Sequence, residues 1–281
     1  MSLTVILGSS GFIGSNLVQY LQQNKLNGLC SAGRYDCEID IDLESGEWDL
    51  KNIPKGSTFV FLSSISAPSI CDGSPELARK VNVESTIKLI EELIDKGVKV
   101  IFSSSDVVLG ETTKPKGDCS DPDPMGNYGQ MKFEVENRFL KEPNFKVIRF
   151  SYVLGKGDKF TSMLDEFADK GEIVDIFDGF NRSIVGLQDV MKGIESLIND
   201  WAVFEDKVFN FVGPELVSRL KLAEMYKLLV NPNLEFSSSV APDEFWLSRP
   251  KTINAVSSNF ERLLGKKPNT ILEILEGWNN D

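Results

Sequence analysis

The sequence predicts an α/β protein with a doubly wound parallel sheet. Short, continuously apolar runs alternate along the chain with stretches of helical periodicity, a pattern typical of parallel strands that helices cover on both faces. The first apolar run leads directly into a glycine-rich turn, and polar clusters follow later runs. Because right-handed crossovers bring the carboxyl ends of the strands to one edge, we expect a ligand-binding crevice there.

Strands and helices follow one another in a regular order. The apolar runs that predict strands cover residues 3–7, 29–32, 37–43, 58–62, 99–102 and 146–150. Helical periodicity covers residues 12–24, 75–95, 128–140, 160–170, 187–199 and 219–229, and Pro75 suits a first helical turn. We predict a sheet domain over residues 1–157, with a segment near 183–212 that returns to it. Residues 158–182 and 213–281 are expected to form a smaller lobe folded against the sheet.

Composition and charge argue against several classes of protein. The 281 residues are 41% hydrophobic and 26% charged, as in ordinary soluble chains, and the net charge of −12 argues against a nucleic-acid surface. No apolar run approaches the roughly 20 residues of a membrane-spanning helix, and the N-terminal apolar run is too short for a secretion signal. The four cysteines lack C-x-x-C spacing. We therefore expect a cytoplasmic protein with reduced thiols and neither a nucleic-acid nor a membrane partner.

The absence of histidine restricts the chemistry further. Without histidine, a Ser-His-Asp triad, a Cys-His pair and a histidine-liganded zinc site are excluded, and we expect no metal. General acid–base work is left to tyrosine, lysine, aspartate, glutamate or cysteine side chains.

The glycine turn is the first candidate binding element. Gly8, Gly11 and Gly14 have the spacing G-x-x-G-x-x-G between the first predicted strand and helix. Glycine allows the backbone to bend sharply and approach a ligand, and the following helix N-terminus favours a pyrophosphate. Glycines at a strand end are often only a turn, but the flanking strand and helix favour nucleotide binding.

A tyrosine, a lysine and a serine cluster are candidate catalytic groups. Tyr128 and Lys132 lie four residues apart on a predicted helix and so share one face. A nearby ammonium favours the phenolate, although lowering the phenol pKa by three units requires about 4 kcal/mol. Ser103, Ser104 and Ser105 follow a predicted strand, where a hydroxyl is able to bond a substrate oxygen. Alone, Tyr128 and Lys132 are better explained as exposed side chains of a surface helix. The serines alone are equally well explained as strand-end hydroxyls that bond free backbone groups.

Together and in this order, these blocks resemble the extended short-chain dehydrogenase/reductase family of NAD-dependent epimerases and dehydratases, over essentially the whole chain. The family's Ser/Thr, Tyr and Lys correspond to Ser105, Tyr128 and Lys132. The resemblance implies a Rossmann fold with a C-terminal substrate-binding lobe. It also implies that Tyr128 transfers a proton, Lys132 lowers its pKa and bonds the nicotinamide ribose, and Ser105 polarises the substrate oxygen. Supporting matches are Asn82-Val83, residues 124–128 and Asp189-Val190; Leu7 departs from a threonine common in the family.

Residues beside Ser105 indicate a subgroup. The block Ser105-Asp106-Val107-Val108 is similar to the Thr-Asp-Tyr-Val of dTDP-4-dehydrorhamnose reductases, and Gly33-Arg34 and residues 248–251 favour the same subgroup. Sugar 4,6-dehydratases carry a glutamate that is missing here, and GDP-fucose synthases use a histidine. Two features argue against this subgroup: Val107 replaces the usual tyrosine, and the sequence around Arg182 resembles that of epimerases. We therefore expect an NAD(P)-dependent reductase of a 4-keto-6-deoxy nucleotide sugar. A nucleotide-sugar 4-epimerase with retained NAD and a non-catalytic NADP-binding regulatory subunit remain the alternatives.

The end of the second predicted strand bears on the cofactor. Arg34 stands where an acid would bind the ribose hydroxyls of NAD, which favours NADP(H), whereas Asp36 leaves NAD(H) open. We expect a nucleotide sugar as substrate, and a homodimer is kept open as the assembly. By resemblance, the cofactor-binding residues are Gly8, Ser10, Gly11, Phe12, Ile13, Gly14, Arg34, Asp42, Leu43, Leu62, Ser63, Ser64, Asn82, Ser103, Tyr128, Lys132 and Tyr152. The substrate-binding residues are Ser105, Asp106, Val107, Arg182 and Arg249, of which Arg182 is either a diphosphate clamp or a surface arginine.

Overall fold

A computed structural model describes residues 2–278; Met1 and residues 279–281, which the predicted domain boundaries include, lie outside the described residues. The strands are β1 (Thr4–Leu7), β2 (Leu29–Gly33), β3 (Ile39–Asp42), β4 (Glu47–Trp48), β5 (Thr58–Phe61), β6 (Lys99–Ser105), β7 (Thr112–Lys116), β8 (Phe145–Phe150), β9 (Val153–Leu154), β10 (Ile173–Asp178), β11 (Asn181–Ser183), β12 (Val185–Gly186), β13 (Val208–Phe211), β14 (Leu216–Ser218), β15 (Glu235–Val240) and β16 (Thr252–Ala255).

The helices are α1 (Phe12–Gln23), α2 (Pro68–Gly73), α3 (Pro75–Arg79), α4 (Thr86–Asp95), α5 (Gly126–Phe139), α6 (Lys159–Lys170), α7 (Leu187–Asn199), α8 (Arg219–Leu229), α9 (Asp243–Trp246), α10 (Ser258–Leu264) and α11 (Ile271–Gly277). A π-helical turn, Lys80–Ser85, joins α3 to α4, and a 3-10 turn, Asp106–Leu109, follows β6. Across residues 2–278, no helix combines the length and the apolar character that crossing a membrane requires.

An eight-stranded sheet forms the larger part of the molecule. Its strand order is β13-β8-β6-β5-β1-β2-β3-β4, and every neighbouring pair is parallel except β3 and β4. All residues of β1 and β5 are buried, because α4 and α5 cover one face of the sheet and α1 and α7 the other. The chain leaves β1 and β5 in opposite directions, so a crevice opens between their carboxyl ends. The predicted doubly wound sheet is therefore present.

Two local features differ from the sequence-based expectation. The predicted helix over 75–95 is divided by the π-helical turn, in which Asn82 is buried and binds the backbone of Ile65 through both atoms of its amide. Ser103, Ser104 and Ser105 do not follow β6 but form its last three residues, since they pair with Ile148, Arg149 and Phe150 of β8.

A second lobe packs beside the large sheet. Its four-stranded sheet has the order β14-β11-β16-β7, and β10 pairs with β15; its core includes side chains of α6, α8 and α11. Two elements pack with a different lobe from the one to which the predicted boundaries assign them. The strand β7 comes from the N-terminal half of the chain but pairs with β16, and α10 packs with the core beneath the large sheet.

Candidate active site

The crevice at the switch point between β1 and β5 is a cleft of about 750 Å³. Several predicted cofactor residues line it: Gly8, Ser10, Arg34, Asp42, Leu43, Ser63 and Ser64. Gly8 has φ +86°, a backbone conformation that suits glycine. Gly11 caps α1 without a side-chain hydrogen bond, so the first amides of α1 are open to an anion at the cleft. These features fit the pyrophosphate of a dinucleotide.

Gly14→Ala should destabilise the protein and weaken dinucleotide binding. A β-carbon at Gly14 would lie 2.1 Å from the carbonyl oxygen of Gly8, so the turn has to open, at a cost of about 1–3 kcal/mol. Gly11→Ala is the matched control, because its β-carbon would approach no atom closer than 3.4 Å. Thermal melting and NADH fluorescence titration check both effects. Equal melting temperatures of the two variants would contradict the close approach.

The end of the cleft at Arg34 and Asp42 carries charges of both signs. Arg34 forms a half-exposed ion pair with Glu44 at 3.0 Å, and Asp42 accepts a hydrogen bond from the Glu44 amide at 2.8 Å. Burial opposes the charge of Asp42, but backbone hydrogen bonds from Glu44 and Ser45 prevail and lower its pKa. An anion that bound Arg34 would therefore compete with Glu44, whose exposed ion pair contributes at most about 1 kcal/mol.

Two of the three predicted catalytic groups lie on α5. Lys132 is 2% exposed; its Nζ donates to the carbonyl oxygen of Ser103 at 2.8 Å and lies 5.7 Å from the centre of the Tyr128 ring. Burial raises the pKa of Tyr128 to about 12, although a hydrogen bond with Ser64 opposes the shift. Burial also lowers the pKa of Lys132 to about 7, against the nearby charge of Glu136. The pKa of Tyr128 is thus raised in the structure and not lowered as expected, because burial disfavours the charged phenolate and Lys132 contributes no resolved shift.

The buried lysine has a measurable effect on stability. The folded-state pKa of Lys132, about 7, lies below its ordinary value of 10.5, so between these values the unfolded chain binds a proton that the folded chain lacks. The free energy of unfolding therefore rises with pH, by up to about 1.4 kcal/mol per pH unit. Lys132→Met should flatten this rise between pH 7 and 9.5 in urea titrations, whereas Lys221→Met, at an exposed position of α8, should not. Parallel curves for wild type and Lys132→Met would contradict the shift.

Ser105 is oriented by the residue that follows it. Its Oγ donates to Asp106 Oδ1 at 3.3 Å and accepts from the Val107 amide at 3.4 Å. Asp106 is 4% exposed and also accepts from Ser151 Oγ at 2.8 Å. Burial raises the pKa of Asp106, while the charge of Arg182 opposes the shift. The structure thus places Asp106, a predicted substrate residue, where it positions Ser105.

A second cleft, of about 290 Å³, lies beside Tyr128. Val107, Met125, Phe180 and Phe245 give it apolar walls, and three arginines line it: Arg182, Arg219 and Arg249. Arg182 is only 6% exposed, so the alternative of a surface arginine does not hold. Arg219 was not among the residues predicted from the sequence. One feature of the sequence could have pointed to Arg219 as a site residue. It is a cation at the start of a predicted helix, where the helix dipole disfavours positive charge.

Two predicted cofactor residues use their polar atoms within the protein. The side-chain amide of Asn82 donates to and accepts from the backbone of Ile65, both at 2.8 Å, and so holds the loop that carries Ser63 and Ser64. The Tyr152 hydroxyl donates to Asp158, which raises the tyrosine pKa together with burial. Within residues 2–278, no cluster of three or more acidic or thiol side chains is arranged to hold a metal ion.

A buried ion pair that the sequence analysis missed supports α5 from behind. Glu136, one turn after Lys132, is fully buried, and Arg149 on β8 is 2% exposed. Arg149 Nη2 lies 2.6 Å from Glu136 Oε2, and its Nε donates to both carboxylate oxygens at 3.1 Å. The pair ties α5 to the sheet.

Comparison with known families identifies the chain. The family model described as the RmlD substrate binding domain matches residues 1–260. The chain belongs to this family. The resemblance of this RmlD-family chain to extended short-chain dehydrogenases/reductases is therefore confirmed.

Two curated relatives match part of the RmlD-family chain. Methionine adenosyltransferase 2 subunit beta from Xenopus laevis is 26% identical over 163 residues, which cover 56% of this chain and 48% of the relative. UDP-glucose 4-epimerase from Vibrio cholerae is 33% identical over 180 residues, which cover 57% of this chain and 55% of the relative. The chain thus spans about half the length of these relatives.

Solved structures resemble the chain over its whole length. MoeE5 in complex with UDP-glucose and NAD has a TM-score of 0.81 at 23% identity, covering 99% of both chains. A dTDP-4-dehydrorhamnose reductase from Clostridium acetobutylicum has a TM-score of 0.82 at 17% identity, covering 100% of this chain and 99% of that one. At these identities the likeness establishes the fold, and the predicted Rossmann architecture is confirmed.

Proposed function

We propose that the chain is an NAD(P)-dependent oxidoreductase that reduces the 4-keto group of a 6-deoxy nucleotide sugar. The observation that carries the proposal is the position of Tyr128 between the two clefts. Tyr128 lines the arginine-bearing cleft and forms a hydrogen bond with Ser64, which lines the dinucleotide cleft. A substrate beside Tyr128 therefore lies next to a nicotinamide in the adjoining cleft.

The chain's own residues suit this chemistry. When bound, the nicotinamide supplies the hydride, which no side chain is able to give. The Ser105 hydroxyl turns from Asp106 to donate its hydrogen bond to the keto oxygen instead, and Tyr128 gives that oxygen its proton. A phenol with a pKa of about 12 is protonated at neutral pH, as a proton donor in the reducing direction must be. The Lys132 ammonium, once bonded to the ribose, stabilises the phenolate that remains.

NADP(H) is the proposed first choice of cofactor, with NAD(H) also accepted. Arg34 is half exposed at the cleft and its fork of donors matches a 2′-phosphate. Glu44, Asp36 and Asp42 at the same end keep NAD acceptable, and MoeE5 was solved with NAD.

The test combines a cofactor assay with a turnover assay. Purified protein is given NADPH or NADH with UDP- and dTDP-linked 4-keto-6-deoxy sugars, and the loss of absorbance at 340 nm is followed. We expect oxidation of the reduced cofactor that requires the keto sugar. No oxidation with any keto sugar would overturn the reductase assignment.

A 4-epimerase is the second candidate, favoured by the Vibrio cholerae relative. An epimerase would retain NAD through purification and interconvert nucleotide sugars with no net cofactor turnover. A non-catalytic regulatory subunit is the third candidate, since the Xenopus laevis relative is named as a subunit beta. Such a subunit would bind dinucleotide but would convert neither the cofactor nor a nucleotide sugar. Two measurements distinguish the reductase, the epimerase and the regulatory subunit: identification of the cofactor released from denatured protein, and analysis of the products.

A further inference from the structure

Lys132 is bonded to the sheet and not to the phenol of Tyr128. Its Nζ donates to the carbonyl oxygen of Ser103 at 2.8 Å. The same atom lies 4.7 Å from the centre of the Phe102 ring and 5.7 Å from the centre of the Tyr128 ring. In the part of the chain that the structure describes, the hydrogen-bond partner of Lys132 is therefore the backbone of β6.

A hydrogen bond with Ser64 holds the phenol instead. Ser64 lies in the loop after β5, and its side chain shares a hydrogen bond with Tyr128. Burial, together with the nearby Cys71 and Asp106, raises the pKa of the phenol, and the bond with Ser64 opposes that rise. A hydroxyl lowers the pKa of a phenol when it donates to the phenolate. Ser64 is therefore the donor once Tyr128 has given up its proton.

The loop that carries Ser64 is fixed from two sides. On one side, the Leu62 amide donates to the carbonyl oxygen of Leu7 at 2.9 Å, next to the glycine turn. On the other side, the buried side chain of Asn82 binds both backbone groups of Ile65 at 2.8 Å. Because the backbone is held before and after Ser64, little conformational entropy is lost when its hydroxyl bonds the phenol.

We infer that Ser64 is a positioning residue for Tyr128, whose hydroxyl holds the phenol oxygen between the two clefts and stabilises the phenolate that proton transfer leaves behind. The inference rests on the proposed function, because it takes Tyr128 as the proton donor. Ser64 lines the dinucleotide cleft, and Tyr128 forms part of the wall of the arginine-lined cleft. The bond between them thus crosses from one cleft to the other. A charge that is partly withdrawn from water gains more from such a donor than a charge in solvent does.

Fluorine NMR tests the inference without depending on turnover. The five tyrosines are replaced biosynthetically by 3-fluorotyrosine, whose phenol is more acidic, and the signal of position 128 is identified by its loss in Tyr128→Phe. We expect Ser64→Ala to raise the pKa of this phenol by about one to two, since a hydrogen bond to a charged group is lost. Ser64→Thr, which keeps a hydroxyl, should restore the pKa. Ser66→Ala is the matched control, because Ser66 is an exposed serine of the same loop.

A double-mutant cycle connects the bond to the reaction. In single turnovers of NADPH with a dTDP-linked 4-keto-6-deoxy sugar, Ser64→Ala should lower the rate about 10- to 100-fold. In the Tyr128→Phe background the same change should have no effect, because the oxygen that Ser64 bonds is gone. An equal loss in both backgrounds would show that Ser64 acts on another group, and the inference would be wrong.

The NMR titration and the turnover assay separate the inference from the proposed function. A Tyr128 pKa that is the same in Ser64→Ala and wild type would overturn the inference and leave the proposed function standing. A pKa that rises in Ser64→Ala, in a protein that oxidises NADPH with no keto sugar, would overturn the reductase assignment while the bond from Ser64 to Tyr128 stood.

Discussion

Replacement of Tyr128 by phenylalanine should lower the rate of hydride transfer roughly 10²- to 10⁴-fold while leaving dinucleotide affinity nearly unchanged. The phenol is the proton donor proposed for the keto oxygen, and phenylalanine keeps the ring in its place between the two clefts. The ring also packs against the cluster of Cys71 and Met131, so the fold should be retained. Single-turnover oxidation of NADPH and equilibrium binding of NADPH measure the two effects separately.

Tyr20→Phe is the matched control for this change. The Tyr20 hydroxyl donates to Glu195 at 2.9 Å, away from either cleft, so the same loss of an oxygen should leave the rate unchanged. A Tyr128→Phe variant that turned over at the wild-type rate would remove Tyr128 from the chemistry. The regulatory alternative would then gain support.

Replacement of Glu136 by glutamine should lower the free energy of unfolding by about 3–5 kcal/mol. The change keeps the shape of the side chain but leaves the charge of Arg149 buried without a partner, in a position that is only 2% exposed. Nη1 of Arg149 already lacks a hydrogen-bond partner, so no nearby group compensates. Urea denaturation followed by circular dichroism measures the loss.

Two further variants show whether burial is the cause. Glu91→Gln breaks the pair with Arg138, which is equally close at 2.6 Å but about half exposed on the same helix α5, and should cost less than about 1 kcal/mol. The double variant Glu136→Gln/Arg149→Met removes the orphaned charge and should recover part of the stability. Equal losses from Glu91→Gln and Glu136→Gln would refute the role of burial.

The parts of the fold that could be predicted from the sequence depend on short-range patterns. The bounds of α7 and α8 coincide with the predicted 187–199 and 219–229, because helical periodicity and its end signals lie within a few residues of each other. The π-helical turn around Asn82 was not predictable in this way. It depends on a hydrogen bond to Ile65, which lies 17 residues away.

The candidate site shows the same limit. Tyr128 and Lys132 could be predicted to lie together because one helix carries both. The glycine turn could be predicted because it is continuous in sequence. The direction of the tyrosine pKa was not predictable, since it is set by burial that only the packed structure defines. Arg219 and the Glu136–Arg149 pair could not be predicted from the sequence for a related reason. Their partners are assembled from separate elements, and neither has a motif.

The pairing of β7 with β16 has a consequence for how the molecule folds. A hydrogen bond next to this pairing, from the Lys251 amide to Glu111, joins residues 140 positions apart, and contacts of such high contact order form slowly because a long loop must close first. The arginine-lined cleft draws residues from both sides of that closure. We therefore expect dinucleotide affinity to appear early during refolding and affinity for the proposed nucleotide sugar to appear late.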